Sequence, residues 1–340
     1  MKPTSQLPLQ QATLIYNPRA GQIALASTIE LVADVWRAKG WQVAIRPTQY
    51  AGHAVELAQT AVAADHQVVL AAGGDGTLGD VAHGLAGSAT ALAPLPIGTA
   101  NSFARELQLP RATLFDRNQL LQTAVSLLHG RLQQIDLGWV SDAGGENGRY
   151  WLLWVGVGAD GYLVQHIEPR PKWSKKLGKV GYVLQALGRV WRLPRHDMQV
   201  TIDGRSQSGQ FLLVLLSNCR RYAGGELVMN PQAQLDDGQF DIWLLRGHGL
   251  AAAWRYLSRI RRQGQAQGEG IERINGRSIT IHATPTAATQ TDGEPARQTP
   301  IQCEIRPRAL WLLVPQTTPT DLFVHPAKSL ADYLSYFDSS

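Results

Sequence analysis

The sequence predicts a two-domain α/β protein, with a doubly wound, mostly parallel sheet in the N-terminal domain and antiparallel β-structure in a larger C-terminal domain. Three observations predict it: a length of 340 residues, alternating strand and helix patterns up to about residue 129, and the loss of that alternation further on. A chain this long exceeds one typical core, and strict alternation is typical of a parallel sheet. We place the domains at 1–137 and 138–315. We expect the tail 316–340 to pack on the first domain and the active site to occupy the cleft between the domains.

The N-terminal elements follow from apolar periodicity. Leu25, Ile29, Val32 and Trp36 recur at helical spacing, and Gly40 follows as a helix stop. Short apolar runs between such stretches indicate strands. The predicted order is strand 13–16, helix 25–36, strand 42–45, helix 51–64, strand 68–72, a helix from Thr77, strand 92–97 and helix 117–129.

The C-terminal elements follow from short apolar runs separated by turn residues. Asp203-Gly204 between two runs indicates a tight hairpin, because such a turn needs positive φ. Two helical stretches interrupt the strands: residues 174–192 carry an apolar stripe flanked by lysines, and the stretch around Trp254 carries arginines. The predicted strands are 133–140, 151–157, 198–202, 211–216, 240–245, 278–282 and 310–314.

Composition excludes several classes of protein. With 44% hydrophobic and 17% charged residues, the chain is typical of a globular protein. No apolar run approaches the roughly 20 residues of a membrane span, and the N-terminus lacks the apolar stretch of a secretory signal. The two cysteines, Cys219 and Cys303, show neither disulfide nor zinc spacing. We therefore expect a cytoplasmic protein.

The net charge of +5 favours anionic partners. No nucleic-acid-binding module is recognisable, so we expect no nucleic acid partner. The positive charge would favour contact with the anionic inner face of the cell membrane. Residues 174–192 resemble an interfacial helix that could make this contact. The alternative is that this stripe packs on the β-domain. The sequence leaves the oligomeric state open.

The strongest chemical signal is the run Ala71-Ala72-Gly73-Gly74-Asp75-Gly76-Thr77, in which an apolar strand leads directly into glycines that open a helix. Glycines let backbone N–H groups approach phosphate oxygens, and the helix N-terminus adds partial positive charge. The run therefore predicts a phosphate site, although not a P-loop, since GxxxxGK[ST] does not occur. The alternative is a plain strand-to-helix turn.

Ordered motifs along nearly the whole chain resemble the diacylglycerol kinase catalytic family, which includes sphingosine and ceramide kinases and bacterial lipid kinases. These motifs are NPRAG at 17–21, GGDGT at 73–77, GTAN at 98–101 with FAR at 103–105, IDLG at 135–138, GVGAD at 156–160, LDDGQFD at 235–241 and DGE at 292–294. The resemblance implies a kinase that transfers the γ-phosphate of ATP to a lipid hydroxyl. It leaves the lipid open among diacylglycerol, phosphatidylglycerol, sphingoid bases and isoprenoid-like alcohols.

The resemblance also implies the nucleotide-binding residues. Asp75 and Asp136 would hold the catalytic Mg²⁺, partly through water, which neutralises charge on the transferred phosphoryl group. The alternative from the residues alone is that Asp75 is a turn aspartate and Asp136 a strand-end cap. The implied ATP contacts are Asn17, Thr48, Gly73, Gly74, Asp75, Gly76, Thr77, Leu78, Gly79, Thr99 and Asn101.

A second, structural Mg²⁺ is implied in the larger domain. Asp237 would supply a side-chain oxygen, and Gln234 and Gln239 backbone carbonyls, since this ion prefers oxygen ligands. The alternative is a solvated Asp-Asp-Gly turn. The sequence does not separate Asp236 from Asp237 in this role.

The resemblance makes Glu294 the general base that takes the proton from the lipid hydroxyl. Asp292 is the competing acid in the same motif. The alternative is that Asp292-Gly293 forms a turn and Glu294 is no more than a solvated turn residue. Gly156, Gly158 and Gly161 also satisfy GxGxxG, but the βαβ context of a dinucleotide site is missing.

Two positions depart from the family pattern: Gly79-Asp80 stands where Asn-Glu is common, and Ser102 where Asp is common. Side-chain contacts to phosphate or magnesium from these positions are therefore in doubt. Two other functions stay open: an NAD kinase, which shares GGDGT, and a non-catalytic, nucleotide-gated lipid-binding protein. Phosphorylation of a lipid extract with labelled ATP discriminates among the three.

Overall fold

The computed structural model describes residues 10–18, 25–97, 101–110, 118–145, 147–167, 193–263 and 268–337. The chain divides into two compact units. The first holds Met1–Ile135, Ala309–Thr320 and His325–Ser340, and the second holds Asp136–Arg308 and Asp321–Val324. The C-terminal tail therefore contributes to both units.

The elements alternate strictly at first and then become mostly strands. The first stretch contains β1 Gln11–Tyr16, α1 Leu25–Arg37, β2 Gln42–Pro47, α2 His53–Ala63, β3 Val68–Gly73, α3 Asp75–Leu85, β4 Ala91–Pro96, α4 Ser102–Glu106, α5 Asn118–Leu128 and β5 Arg131–Asp142. Next come β6 Arg149–Trp151, β7 Trp154–Gly158, α6 Ala159–Ile167, β8 Asp197–Ile202, β9 Arg205–Ser217, β10 Arg221–Tyr222, β11 Leu227–Val228, β12 Phe240–Arg246 and α7 Gly249–Gln263. The chain continues with β13 Ile271–Gly276, β14 Ser278–Thr284, β15 Ala288–Thr291, β16 Glu294–Gln298, β17 Ile301–Val314, a 3₁₀ turn Thr320–Leu322, β18 Lys328–Ser329 and α8 Leu330–Phe337.

The first unit is built on parallel strands, which confirms the predicted fold class. β1 pairs in parallel with β2 and β3, β3 pairs in parallel with β4, and the last residues of β17 pair in parallel with β4. Parallel strands joined by helices all end at one edge of the sheet. This edge carries the predicted nucleotide-binding residues.

The core of the first unit joins the sheet to α1, α5 and the tail. Leu14 packs with Trp36 and Leu120, all nearly or fully buried. The indole N–H of Trp36 donates to the carbonyl of Ala124 at 3.1 Å, so a large buried aromatic leaves no polar atom unsatisfied. In α8, the hydroxyl of Tyr333 donates to the carbonyls of Gln67 and Ala89. The end of the tail is thereby attached to the first unit.

The second unit is antiparallel, as predicted. Its strands follow the order β16-β15-β7-β9-β8-β14-β17, and β12 pairs with both β9 and β13. The predicted hairpin joins β8 to β9, with φ of 45° at Asp203 and 81° at Gly204. Positive φ at both central positions is the geometry of a type I′ turn. Trp151 stacks on Phe240 with ring centroids 5.0 Å apart in the core of this unit.

Two of the differences from the sequence expectation lie around the GVGAD motif. The predicted strand 151–157 is two strands, β6 and β7, because the N–H groups of Leu152, Leu153 and Trp154 bond to the carboxylate of Asp292. Helix α6 begins within the GxGxxG run, at Ala159, where no helix was predicted. β7 nevertheless pairs antiparallel with β9 and β15, so the βαβ context of a dinucleotide site is indeed missing.

The lysine-bearing stretch 174–192 lies outside the described residues. The arginine-bearing helix around Trp254 is α7. In the described part of the chain, no helix is both long and apolar enough to cross a bilayer.

Candidate active site

The carboxyl ends of the parallel strands bring together several predicted nucleotide-binding residues. Asn17 follows β1, and its backbone N–H donates to the carbonyl of Ala72 in β3 at 3.2 Å. Thr48 follows β2, and its N–H donates to the carbonyl of Tyr16 at 2.8 Å. Since neighbouring parallel strands end side by side, Asn17 and Thr48 border the glycine loop that follows β3.

This loop passes from β3 into α3 with no intervening turn. Gly73 ends the strand, Gly74 caps the helix, and Asp75 is the first helical residue. A Cβ on Gly73 would lie 2.5 Å from the Cβ of Thr77, so only glycine fits without displacing Thr77. The first N–H groups of a helix lack intrahelical acceptors, and the helix dipole adds positive potential there. The loop can therefore bind phosphate oxygens.

Three other predicted contacts, Gly76, Leu78 and Gly79, lie within the first turns of α3. Leu78 is fully buried, and its N–H donates to the carbonyl of Gly74 at 3.1 Å. Leu78 thus supports the loop from the core, with both its side chain and its N–H already used. Thr99 lies outside the described residues.

Asp75 links the glycine loop to α4. Its carboxylate oxygens accept hydrogen bonds from the N–H groups of Ser102 at 2.9 Å and Phe103 at 3.1 Å. Asn101, which is buried, precedes α4 with a left-handed φ of 47°. A carboxylate at a helix start satisfies N–H groups that otherwise lack acceptors. Each oxygen keeps a further lone pair for a ligand or water.

Ser102 departs from the family pattern, but the hydrogen bond between Asp75 and the start of α4 does not depend on its side chain, because the donor is the backbone N–H of Ser102. Gly79, the other departure, is buried inside α3.

Asp136, in the second unit, is fully buried and holds two segments of backbone. One carboxylate oxygen accepts from the N–H of Gly238 at 2.6 Å, and the other accepts from the N–H of Arg308 at 2.7 Å. Its own N–H donates to the carbonyl of Leu235 at 2.7 Å. A role toward Mg²⁺ would have to use the remaining lone pairs, with water as the bridge.

The predicted structural metal loop borders a polar cavity of about 120 Å³ in the second unit. Asp237, Gln234 and Gln239 all line it. Asp236 is turned elsewhere, since its carboxylate accepts a hydrogen bond from the N–H of Val324 at 2.6 Å. Asp237 is therefore the carboxylate of this pair that faces the cavity. The remaining lining residues are Ser217, Asn218, Asn230, Gln232, Ala233, Asp241, Arg273 and Asn275.

The electrostatics of this loop favour a cation. Burial, together with the nearby carboxylates of Asp136, Asp241 and Asp236, raises the pKa of Asp237 to about 6, although the hydrogen bond from the backbone N–H of Gln239 acts in the opposite direction. A bound cation offsets both effects, because it stabilises the ionised carboxylate. Within the described ranges, no group of three or more His, Cys, Asp and Glu side chains forms a metal site. The predicted ligand set is of a different kind, with one carboxylate and two backbone carbonyls, and these oxygens suit Mg²⁺.

Glu294 begins β16 immediately after a tight turn. Asp292 and Gly293 have φ of 51° and 86°, and Thr291 pairs with Glu294 across the hairpin. The side chain of Glu294 is 51% exposed, and its Oε2 lies 3.9 Å from Nη1 of Arg149. Glu294 is thus an accessible carboxylate beside a cation.

Asp292, the competing acid of the motif, has a different environment. It is 4% exposed, and its carboxylate accepts hydrogen bonds from the N–H groups of Leu152, Leu153 and Trp154 at 2.8, 2.7 and 3.2 Å. Burial raises the pKa of Asp292 to about 6, although these three N–H groups and the charge of Arg149 act in the opposite direction. Asp292 is thus an anchor for the hairpin that carries Glu294.

Arg149 is the residue of this site that sequence reasoning missed. It lies at the end of a turn-rich stretch with no motif around it. Its approach to Glu294 spans 145 positions, so local sequence carries no signal of it.

Comparison with known proteins agrees with this geometry. The diacylglycerol kinase catalytic domain matches residues 11–140, and the YegS C-terminal NAD kinase beta sandwich-like domain matches residues 154–314. The first match contains the glycine loop and Asp136, and the second contains the metal loop and Glu294.

Curated relatives and solved structures extend the likeness to whole chains. A YegS-like lipid kinase of Pseudomonas putida is 30% identical over 311 residues, covering 90% of this chain and 96% of the relative. Diacylglycerol kinase of Bacillus subtilis is 27% identical over 288 residues, covering 84% and 90%. A crystal structure of a diacylglycerol kinase from Bacillus anthracis has the same fold, with a TM-score of 0.67 at 22% identity, covering 92% of this chain and 100% of that one.

Proposed function

The chain belongs to the lipid kinases that carry the diacylglycerol kinase catalytic domain, and from that premise we propose that it transfers the γ-phosphate of ATP to a hydroxyl group of a membrane-derived lipid. The observation that carries the proposal is the loop from Gly73 to Asp75, where free helix N–H groups follow a buried parallel strand and the Asp75 carboxylate joins that loop to α4. Such a loop binds polyphosphate through backbone groups and keeps its shape without a ligand.

Glu294 acts as the general base. The lipid O–H bond breaks as its proton passes to the Glu294 carboxylate, the oxygen bonds to the γ-phosphorus, and ADP leaves with the electrons of the cleaved P–O bond. A positioned base commonly contributes about 10²- to 10⁴-fold to such a step. The exposed Glu294 and the buried, fully bonded Asp292 support this division of roles.

Mg²⁺ neutralises phosphate charge when bound, and Asp75 and Asp136 are the residues proposed to hold it, in part through water. A second, structural Mg²⁺ is proposed at the loop of Gln234, Asp237 and Gln239. The raised pKa of Asp237 supports this second site, since burial and neighbouring carboxylates disfavour its charge unless a cation is present.

The proposed acceptor is a glycerolipid such as diacylglycerol, the substrate in the names of the Bacillus relatives. The NAD kinase alternative is not favoured by these relatives. The assay incubates the protein with labelled ATP and, separately, diacylglycerol, phosphatidylglycerol, a sphingoid base, an isoprenoid alcohol and NAD. Labelled diacylglycerol product supports the proposal. Label only in NAD would identify an NAD kinase, and ATP binding without any labelled product would leave a nucleotide-gated lipid-binding protein.

We also propose that the protein is cytoplasmic and makes peripheral contact with an anionic membrane. In α7, Trp254 is 63% exposed, and Arg262 is exposed on the same side of the helix. Arg255 is also exposed, but its guanidinium donates to the hydroxyl of Tyr256 at 3.2 Å. The opposite side is fixed to the protein, because Tyr256 is buried and its hydroxyl donates to the carbonyls of Arg246 and Gly270. An indole with neighbouring guanidinium groups suits the interface of an anionic bilayer.

A further inference from the structure

The GVGAD motif leads to a hydrogen-bonded link that ends at the hairpin of Glu294. Asp160, in the first turn of α6, accepts a hydrogen bond at 2.6 Å from the side-chain amide N–H of Gln290. The side chain of Tyr222 also hydrogen-bonds to Asp160. The GVGAD pattern by itself predicts no role for Asp160.

The other end of the Gln290 amide reaches the hairpin turn. Gln290 is 1% exposed, and its Oε1 accepts the backbone N–H of Gly293 at 2.7 Å. One buried amide thus connects the Asp160 carboxylate to the residue immediately before Glu294.

Asp160 determines which way this amide points. When it is ionised, the Asp160 carboxylate only accepts hydrogen bonds, so it faces the NH₂ end of Gln290 and leaves the carbonyl end for Gly293. Burial raises the pKa of Asp160, and the hydrogen bonds from Tyr222 and Gln290 oppose that rise by stabilising the ionised form. An uncharged partner at position 160 would allow the amide to turn over. The N–H of Gly293 would then face a second donor, which breaks the bond.

The glycines of the motif are explained by the same contacts. A Cβ on Gly156 would lie 1.9 Å from Oδ2 of Asp160, and a Cβ on Gly161 would lie 2.2 Å from the backbone carbonyl oxygen of Ala288 in β15. Both glycines let α6 approach closely enough for Asp160 to reach Gln290. The GxGxxG pattern therefore serves packing around Asp160.

We propose that Asp160, acting through Gln290, is a positioning residue that orients the Asp292-Gly293 turn and thereby places the carboxylate of Glu294 for proton transfer. This inference rests on the proposed role of Glu294 as the base. Asp292 holds the same turn through three backbone N–H groups, those of Leu152 and Leu153 between β6 and β7 and that of Trp154 at the start of β7, so the turn has two separate anchors. Displacement of a reacting group by about 1 Å lowers the rate roughly a hundredfold, so loss of the second anchor should lower kcat.

The test compares Gln290→Leu with Gln302→Leu. Gln302 is a matched control, because it also donates to a carboxylate in the second unit, that of Glu304 at 2.9 Å, in β17. We expect Gln290→Leu to lower kcat by about 30- to 100-fold while KM for ATP and lipid change by less than about threefold. Gln302→Leu should keep wild-type kcat. Asp160→Asn, which preserves size, should act in the same direction, and it carries the test if Gln290→Leu does not fold.

A double-mutant cycle with Glu294→Gln separates positioning from structure. Once the base is gone, Gln290→Leu should lower the residual rate by less than about threefold, since there is no base left to position. An equal loss in both backgrounds would overturn the proposal in favour of a general structural role. A wild-type kcat in Gln290→Leu would also overturn the proposal. If Gln290→Leu does not fold, a wild-type kcat in Asp160→Asn would overturn it. A rise in lipid KM on Asp160→Asn alone would show that Asp160 contacts the substrate instead. Full activity of Glu294→Gln would refute the base itself, a result distinct from all of these.

Discussion

Asp75 and Ser102 are joined by a hydrogen bond of 2.9 Å from the backbone N–H of Ser102 to the carboxylate of Asp75, across 27 positions of sequence. The bond connects the glycine loop after β3 to the start of α4. Asp75 therefore combines a structural role with its proposed role toward Mg²⁺, and its variants should separate the two.

Asp75→Ala removes both the helix-start acceptor and the charge, whereas Asp75→Asn keeps one acceptor oxygen. We expect both to lower the kinase rate by about a hundredfold, which corresponds to roughly 3 kcal/mol of transition-state stabilisation. Asp75→Ala should also lower the free energy of unfolding by about 1 kcal/mol more than Asp75→Asn, through loss of the cap. Steady-state kinetics at saturating ATP and Mg²⁺, with denaturant titrations, measure both. Near wild-type turnover in Asp75→Ala would show that the phosphate site is elsewhere.

The pH dependence of stability should report the burial of Asp292. Its pKa of about 6 in the folded protein exceeds the value of about 4 in an unfolded chain, so the folded state binds more protons between these pH values. The contribution of Asp292 to the free energy of unfolding is therefore fully present below pH 4 and is lost as the pH rises through 6. We expect the difference in unfolding free energy between wild type and Asp292→Asn to fall by on the order of 2 to 3 kcal/mol from pH 4 to pH 7. A difference that is constant across this range would contradict the raised pKa.

Mg²⁺ should stabilise the second unit through Asp237. We expect added Mg²⁺ to raise the melting temperature of wild type, because a ligand at about a hundred times its Kd adds roughly 2.7 kcal/mol to the folded state. Asp237→Asn should lose most of this increase. Asp197→Asn serves as the control, since Asp197 is an exposed carboxylate on β8 of the same unit. The same Mg²⁺ effect in Asp237→Asn and wild type would exclude the loop as a metal site.

Binding to anionic vesicles should depend on α7. The double variant Trp254→Ala, Arg262→Ala should bind phosphatidylglycerol-containing vesicles about tenfold more weakly, since each basic residue near an anionic surface contributes about 1 kcal/mol and the indole adds to this. Tyr336→Ala is a matched control, because Tyr336 in α8 is also a largely exposed aromatic, at 62%. Co-sedimentation at low and high salt measures the effect. Undiminished binding by the double variant, or binding that salt leaves unchanged, would show that α7 does not contact the membrane.

Much of this fold could be predicted from the sequence, because most elements are encoded locally. Helix α1 follows from the spacing of Leu25, Ile29, Val32 and Trp36, and the β8–β9 hairpin follows from Asp203-Gly204. These signals lie within a few residues of the elements that they specify, and the structure confirms them.

The remaining features depend on contacts between distant positions. The break between β6 and β7 is produced by Asp292, about 140 positions later. Helix α4 is only five residues long, and its first N–H groups are satisfied by Asp75, far earlier in the chain. The link from Asp160 to Gln290 spans 130 positions. A local sequence pattern does not indicate hydrogen bonds between residues so far apart. The motifs were therefore predictable from the sequence, and the hydrogen bonds that orient them were not.

The most direct test of the central claim is the rate of lipid phosphorylation by Glu294→Gln, compared with Asp292→Asn. Glutamine keeps the size and hydrogen bonding of Glu294 but cannot accept the proton. We expect the rate to fall by at least about a hundredfold while ATP binding is retained, in line with loss of a positioned base. Turnover within a few fold of wild type in Glu294→Gln, with Asp292→Asn inactive, would contradict the account and assign the base to Asp292.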